Sequence, residues 1–265
     1  MGIDFVMWPQ GLEFILLDFE TTGFDERRDQ IVEFAYLVIG EDGEILERDS
    51  ELICPQISIP YLVSKKNNIW PDMLEGKPKF IEVAEKLCQA LEGRIMVAHN
   101  AKFDLGFLVN ECERGKIPLP KFQAICSIKL IKKYWKMNKY NLENLASHVN
   151  HKGDTAHRAM ADVLALHRVL EVYFEENAKR FPTTERVEDV AKVTIPKPKP
   201  LRKTKPTKKK GKKKTPKGQR NLMRFDKGEI FVCQGQTKVG RRCLIRVDKE
   251  GDYCKAHSSQ KENQG

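Results

Sequence analysis

Three groups of residues in this 265-residue sequence have the types and spacing for divalent-cation chemistry. The first is Asp18 and Glu20, two apart at the end of Phe14-Ile15-Leu16-Leu17, an apolar run that predicts a buried strand. On a strand both carboxylates leave the same face. Two anions there repel and desolvate badly unless a cation lies between them, although the pair alone also fits two surface acids at a strand end. Thr21-Thr22-Gly23 then closes the strand in a turn tight enough for a ligand to approach the backbone. The second group, Ala98-His99-Asn100-Ala101-Lys102-Phe103-Asp104, falls at a strand-to-helix junction, where a sheet presents side chains at its edge. Taken singly, Asn100 reads as an N-cap and Asp104 as a first-turn acid complementing the helix dipole. The third group is His157 and Asp162. Five residues of α-helix leave a net rotation of about 140°, so the two cannot share a helix face. His157 therefore precedes the helix or lies in its first turn, free to swing toward a site that Asp162 fixes.

The elements that position these groups follow from periodicity. Ile31 to Ile39 predicts a second strand, and the Asp42-Gly43 turn leads into a third. Phe80, Val83, Ala84, Leu87 and Leu91 recur at helical spacing over residues 80–92. A short strand, Arg94 to Ala98, leads to Asn100 as the cap of a helix reaching Asn110, and a fifth strand covers Phe122 to Cys126. Helical stretches follow at about 128–136, 141–149 and 157–177. Three strands in a meander, then strands alternating with helices, imply an α/β fold with a mixed sheet flanked by helices.

Asp18-Phe19-Glu20-Thr21-Thr22-Gly23, His99-Asn100-x-x-Phe103-Asp104 and His157-Arg158-Ala159-x-x-Asp162 together resemble the three motifs of the DEDDh group of 3′-to-5′ exonucleases, which includes the proofreading subunit of bacterial DNA polymerase III. The likeness spans residues 12 to 178 and includes Tyr140-Asn141-Leu142-Glu143-Asn144-Leu145-Ala146. It departs from many members at Cys126-Ser127, where they carry Asp-Thr. The resemblance implies a ribonuclease H-like fold and two-metal-ion hydrolysis with Mg²⁺ or Mn²⁺. Asp18 would bridge both ions, Glu20 and Asp162 would complete the first, and Asp104 would support the second. His157 would be the general base, for which an ordinary imidazole pKa near 6.5 is suited. By motif position, Thr21 and Thr22 are expected at the 3′-hydroxyl, Phe24 at the terminal base and Asn100 at the scissile phosphate.

The remaining chain is different in kind. The formal charge of +10 divides into −6 for residues 1–194, with 25 basic and 31 acidic residues, and +16 for the rest. Residues 195–220 hold 13 Lys or Arg and no acid, interleaved with Pro, and such a stretch reads as an extended linker. The expected organisation is an exonuclease domain at 1–180, a basic flexible linker at 181–224 and a small module at 225–265. Seven cysteines without a secretion signal do not suggest a disulfide framework. Cys233, Cys243, Cys254 and His257 instead form a Cys3His set in sequence too poor in apolar residues to fold unaided, and a structural zinc is expected there. Gln219-Arg220-Asn221-Leu222-Met223-Arg224-Phe225 loosely resembles sliding-clamp-binding peptides, with Asp226 where a second aromatic belongs, so a polymerase or sliding clamp is carried as a candidate partner. No apolar run approaches the roughly 18 residues of a membrane span, and no membrane partner is expected. The expected location is cytoplasmic, at the nucleoid in a bacterium, or nuclear in a eukaryote. The leading expectation is an exonuclease on single-stranded or frayed ends, DNA favoured over RNA. Two alternatives stand beside it: a ribonuclease trimming RNA 3′ ends, and a nucleic-acid-binding adaptor dominated by the basic tail.

Overall fold

The computed structural model describes residues 8–40, 42–151 and 158–200, together with the strand pair 231–232 and 246–247. The first unit is built on a five-stranded sheet of order β3-β2-β1-β4-β5. Its strands are β1 (Phe14–Thr21), β2 (Ile31–Ile39), β3 (Ile45–Leu52), β4 (Ile95–Ala98) and β5 (Gln123–Cys126). The first three form the antiparallel meander, while β4 runs parallel to β1 and β5 parallel to β4. The mixed sheet expected from the sequence is therefore present.

Side-chain alternation assigns the two faces. Ile15, Leu17 and Phe19 of β1 and Phe34, Tyr36 and Val38 of β2 pack against α2 (Phe80–Leu91) and α3 (Lys102–Gly115). Phe14 and Leu16, with Ala35, Leu37 and Ile39, pack instead under α6 (Ala159–Asn177), joined by α4 (Ser127–Tyr134) and α5 (Leu142–His148). Asp18 and Glu20 continue the second row. The β1 face that begins as core under α6 thus ends in two acids.

A register shift between Glu20 and Thr21 leaves Val32 as an extra residue on β2, since Glu20 opposes Glu33 but Thr21 opposes Ile31. Val32 packs with Ile59, Ile69 and Leu74 in a small separate core. That core seats α1 (Tyr61–Asn67), a short helix the sequence periodicity does not reveal because seven residues give too few turns for a stripe to emerge.

Two expectations are corrected. Asn100 does not cap a helix with its side chain; it takes a left-handed backbone with φ +68°, its carbonyl accepts the Phe103 amide, and α3 begins at Lys102. The flexible linker does not begin at residue 181. Residues Thr184–Ala191 form α7, which buries Val187 and Ala191, and the chain then bridges from Lys192 to Ile125 of β5. The Val193 amide donates to Ala124 O at 2.8 Å, and the Lys199 amide donates to Asn110 Oδ1 at 3.1 Å. Alternating prolines remove only every second donor, so the N–H groups between them still tie this extended strap to the domain. The boundary between the two compact units falls near Lys205. Of the second unit, β6 (Phe231–Val232) and β7 (Arg246–Val247) pair antiparallel. The clamp-like peptide at 219–225 and the four zinc candidates lie outside the described residues. No helix among the described residues is long and apolar enough to cross a membrane.

Because α7 and the strap bury apolar side chains, a chain ending at residue 180 should melt roughly 5–10 °C below one ending at residue 205. Equal melting temperatures by circular dichroism would show that 181–205 adds nothing to the domain.

Candidate active site

Three elements converge beside the end of β1. Asp18 and Glu20 come from the strand, and Asp162 from the first turn of α6. Each of the three offers a carboxylate oxygen, and these atoms lie within 4.8 Å of one another. Asp104, in the first turn of α3, is buried at 1% exposure, and neither of its carboxylate oxygens has a hydrogen-bond partner of normal geometry. A buried carboxylate without donors is costly unless it keeps a proton or faces a cation.

The electrostatics say the same. Burial, and then the charges of Asp104, Glu20 and Asp162, hold the Asp18 carboxyl well above the ordinary range. Burial first, with Asp162 and Glu33 after it, pushes Glu20 up to about 8, and the Lys66 ammonium of α1 opposes the shift. Burial pushes Asp104 to about 7, offset in part by the nearby backbone amides of Asp104 and Phe19. Hard divalent cations are bound by such oxygen donors, and the donor set here fits them.

Glu33 is a site residue the sequence reading did not identify. It lies on β2 opposite Glu20 and is buried at 4% exposure. Arg158 donates to it from Nη2 at 2.7 Å and from Nε at 3.1 Å to each oxygen. The Ala159 amide, the first of α6, donates to it at 3.0 Å. Glu33 thereby fixes the start of the helix that carries Asp162. The available signal was a lone acid inside the apolar run Ile31-Val32-Glu33-Phe34. His157, one residue before Arg158, lies outside the described residues.

The turn after β1 is a self-contained network. Thr21 is buried and donates from Oγ1 to Gly23 O at 2.6 Å, while the buried Thr22 accepts the Gln30 amide at 3.0 Å and donates to Asp29 Oδ1 at 3.3 Å. The Asp29 carboxylate also accepts the Asp25 amide at 2.9 Å, and a Cβ on Gly23 would lie 2.4 Å from it. Both threonine hydroxyls donate their protons inside the turn and keep only acceptor capacity for a ligand. Phe24 is different. It is 77% exposed, its ring 6.4 Å from Phe103 and 5.8 Å from Lys66 Nζ. Asn100 is exposed in the turn just before α3, the helix whose Phe103 meets Phe24. His99 is half-buried, its Nδ1 3.0 Å from Ser127 Oγ, and burial lowers its pKa to about 4. The Cys126-Ser127 departure thus supplies a buried hydroxyl to a neutral His99.

The family model described as Exonuclease (RNase_T) matches residues 15–170, more than half of the sequence. The chain belongs to that exonuclease family. The match contains Asp18, Glu20, Asp104 and Asp162. Among curated relatives, the DNA polymerase III subunit epsilon of Treponema pallidum is 32% identical over 170 residues, covering 63% of this chain and 79% of the relative. The 3′-5′ exonuclease DinG of Bacillus subtilis is 35% identical over 151 residues, covering 56% of this chain. A PolC-type DNA polymerase III of Clostridium perfringens is 31% identical over 166 residues, covering 62% of it. The exonuclease domain here spans only 16% of the DinG protein and 11% of the PolC-type polymerase. Among solved structures, Exonuclease X in complex with 5′ overhanging duplex DNA superposes with a TM-score of 0.53 at 25% identity, covering 67% of this chain and 98% of that one. The nuclease domain of 3′hExo, a DEDDh family member bound to rAMP, shares the fold with a TM-score of 0.56 at 16% identity, covering 64% of this chain and 95% of that one.

The raised carboxyls set a pH dependence. Glu20 and Asp104 keep protons in the folded, cation-free protein that they release in the unfolded chain, where carboxyls ionise near pH 4. Stability should therefore fall as pH rises from about 5 to 8 in the presence of chelator. Mg²⁺ should raise the melting temperature more at pH 8 than at pH 5.5. Cation binding at pH 7 should release protons, measurable by calorimetry in buffers of different ionisation enthalpy. A melting temperature that rises toward pH 8 in chelator would overturn this account.

Proposed function

We propose that the chain is a metal-dependent 3′-to-5′ exonuclease that hydrolyses phosphodiesters at the ends of single-stranded or frayed DNA. The observation that carries this reading is the convergence of Asp18, Glu20 and Asp162 beside the buried Asp104. Within it, Asp18, Glu20 and Asp162 would hold one divalent ion, and Asp18 with Asp104 would hold a second. Two bound Mg²⁺ or Mn²⁺ ions supply charge neutralisation at the scissile phosphate and acidify a water. His157 takes the proton of the attacking water, and Glu33 fixes Arg158 and Ala159, the residues that follow it in the chain. Phe24, exposed and backed by Phe103, stacks on the terminal base, and the fixed backbone of Thr21 and Thr22 faces the terminal sugar. Asn100 positions the phosphate. The polymerase III proteins among the relatives support a replicative polymerase as the partner class, with proofreading or repair as the process.

Asp18→Ala should lower degradation of a 3′-labelled oligonucleotide with Mg²⁺ or Mn²⁺ by about 10³-fold or more. His157→Ala should lose most turnover yet keep the cation-induced rise in melting temperature. Parent-like digestion by Asp18→Ala would reject the metal assignment, and cleavage of a covalently closed circle would make the enzyme an endonuclease. Side-by-side digestion of matched DNA and RNA strands decides the sugar, and faster loss of RNA would replace DNA as the substrate.

The second unit is proposed as a Cys3His zinc module through Cys233, Cys243, Cys254 and His257. The short β6–β7 pair supports this, because β6 ends immediately before Cys233 in the chain and β7 follows Cys243 by three residues. The full chain should contain about one zinc by elemental analysis, and Cys254→Ser should lose it; absence of zinc from the parent rejects the module.

A further inference from the structure

The domain is acidic, but one face is not. Between Glu113 and Glu143 the sequence has eight Lys or Arg and no acid, which leaves −14 on the rest of residues 1–194. The structure gathers much of that charge on α4 and the loop that follows it. Lys129, Lys132 and Lys133 lie on the exposed side of α4, opposite the buried Leu130 and Ile131, and Lys136 and Lys139 are exposed in the loop. Arg180, from the segment after α6, stacks its guanidinium 4.5 Å from the Tyr134 ring centroid, which brings it to the same patch. Lys132 Nζ lies 4.9 Å from the Tyr140 ring centroid. The loop is closed rather than loose, because Tyr140 Oη donates to Trp135 O at 2.9 Å and accepts the Met137 amide at 3.1 Å.

The first residue of α4 lies beside the second motif. α4 starts at the carboxyl end of β5, where Ser127 meets His99 of the second motif. From there the helix runs about 12 Å, and the loop to Tyr140 extends the patch beyond it. Carboxylates on the neighbouring elements are in part already engaged, and on α7, which packs against α4, Asp189 pairs with Arg186 at 3.5 Å while Glu185 is exposed. Glu176 accepts the Trp135 indole N–H at 2.7 Å, Glu188 pairs with Lys192 at 3.4 Å, and Glu143 opens α5.

We propose that α4 and the 135–140 loop form a track for the phosphate backbone of the substrate strand leading away from the acids. Lysines beside half-buried tyrosine rings suit a flexible strand without selecting its sequence. The contrast between this face and the acidic remainder steers the polyanion past groups that would repel it. The direction of the track rests on the exonuclease reading, whereas its binding does not.

The test uses the full chain carrying Lys132→Gln, Lys133→Gln, Lys136→Gln and Lys139→Gln. The tail contributes equally to parent and variant, so the difference between them reads the track alone. Anisotropy of a labelled single-stranded 20-mer, followed against salt, should show the slope of log affinity falling by about 2 to 3, from about 0.7 for each phosphate no longer neutralised. KM for the 20-mer should rise by roughly tenfold or more at low salt, with kcat and the turnover of a trinucleotide unchanged. Lys77→Gln, Lys79→Gln and Lys86→Gln, on the α2 side of the sheet, should leave both values at the parent's. Equal slopes and equal KM for parent and the α4 variant would overturn the proposal and leave the patch to an acidic protein partner. A lower slope in a chain that degrades neither DNA nor RNA would retain the track and reject the enzyme.

Discussion

Four carboxylates gathered around the end of one buried strand repel one another and are deprived of water, and the fold has to hold them together against both effects. Asp18 and Glu20 cannot separate, because their spacing is set by the strand and their face by its alternation. Asp104 and Asp162 are brought in by helices whose cores are fixed on opposite sides of the sheet. Protons held near neutral pH relieve the repulsion in the cation-free protein. The same strain makes the cluster a strong acceptor for hard cations, since ions replace protons where ionisation was suppressed.

Rigidity around the cluster comes from its neighbours. Glu33 is a fifth charge, repelling Asp18 and Glu20, and is itself held by Arg158 and the Ala159 amide. A potential liability on β2 thereby becomes the anchor for α6. The turn after β1 uses its own hydroxyls and Asp29 in the same way, fixing a backbone that passes within reach of the acids while leaving Phe24 uncovered. The extra residue Val32 diverts β2 into a second core and so seats α1, whose Lys66 is a nearby positive charge acting on Glu20.

Charge is sorted by position. Acids collect at the cation site, while lysines occupy α4 on the same molecule and the proline-interrupted tail. The strap from Lys192 to Pro200 belongs to the domain, tied at Asn110 and at Glu26 through Lys199. Proline and lysine content there describes an extended backbone, and an extended backbone can be bound as well as free.

The sequence by itself determined the strands, the long helices and the acids at 18, 20, 104 and 162, because period-two and period-3.6 patterns and fixed motif spacings are local properties. It did not reveal α1 or α7, each too short for periodicity to rise above chance, and it misassigned 192–200 because Pro and Lys mask a few well-placed apolar anchors. Glu33 stood out in its strand as an unexplained charge, and its meaning depended on Arg158, 125 positions away. The threonine hydroxyls looked free to donate until the turn engaged their protons. Only the tertiary structure decided which polar groups were already satisfied, which were left waiting for a cation and which lysines shared a face, since each of these depends on partners distant in the chain.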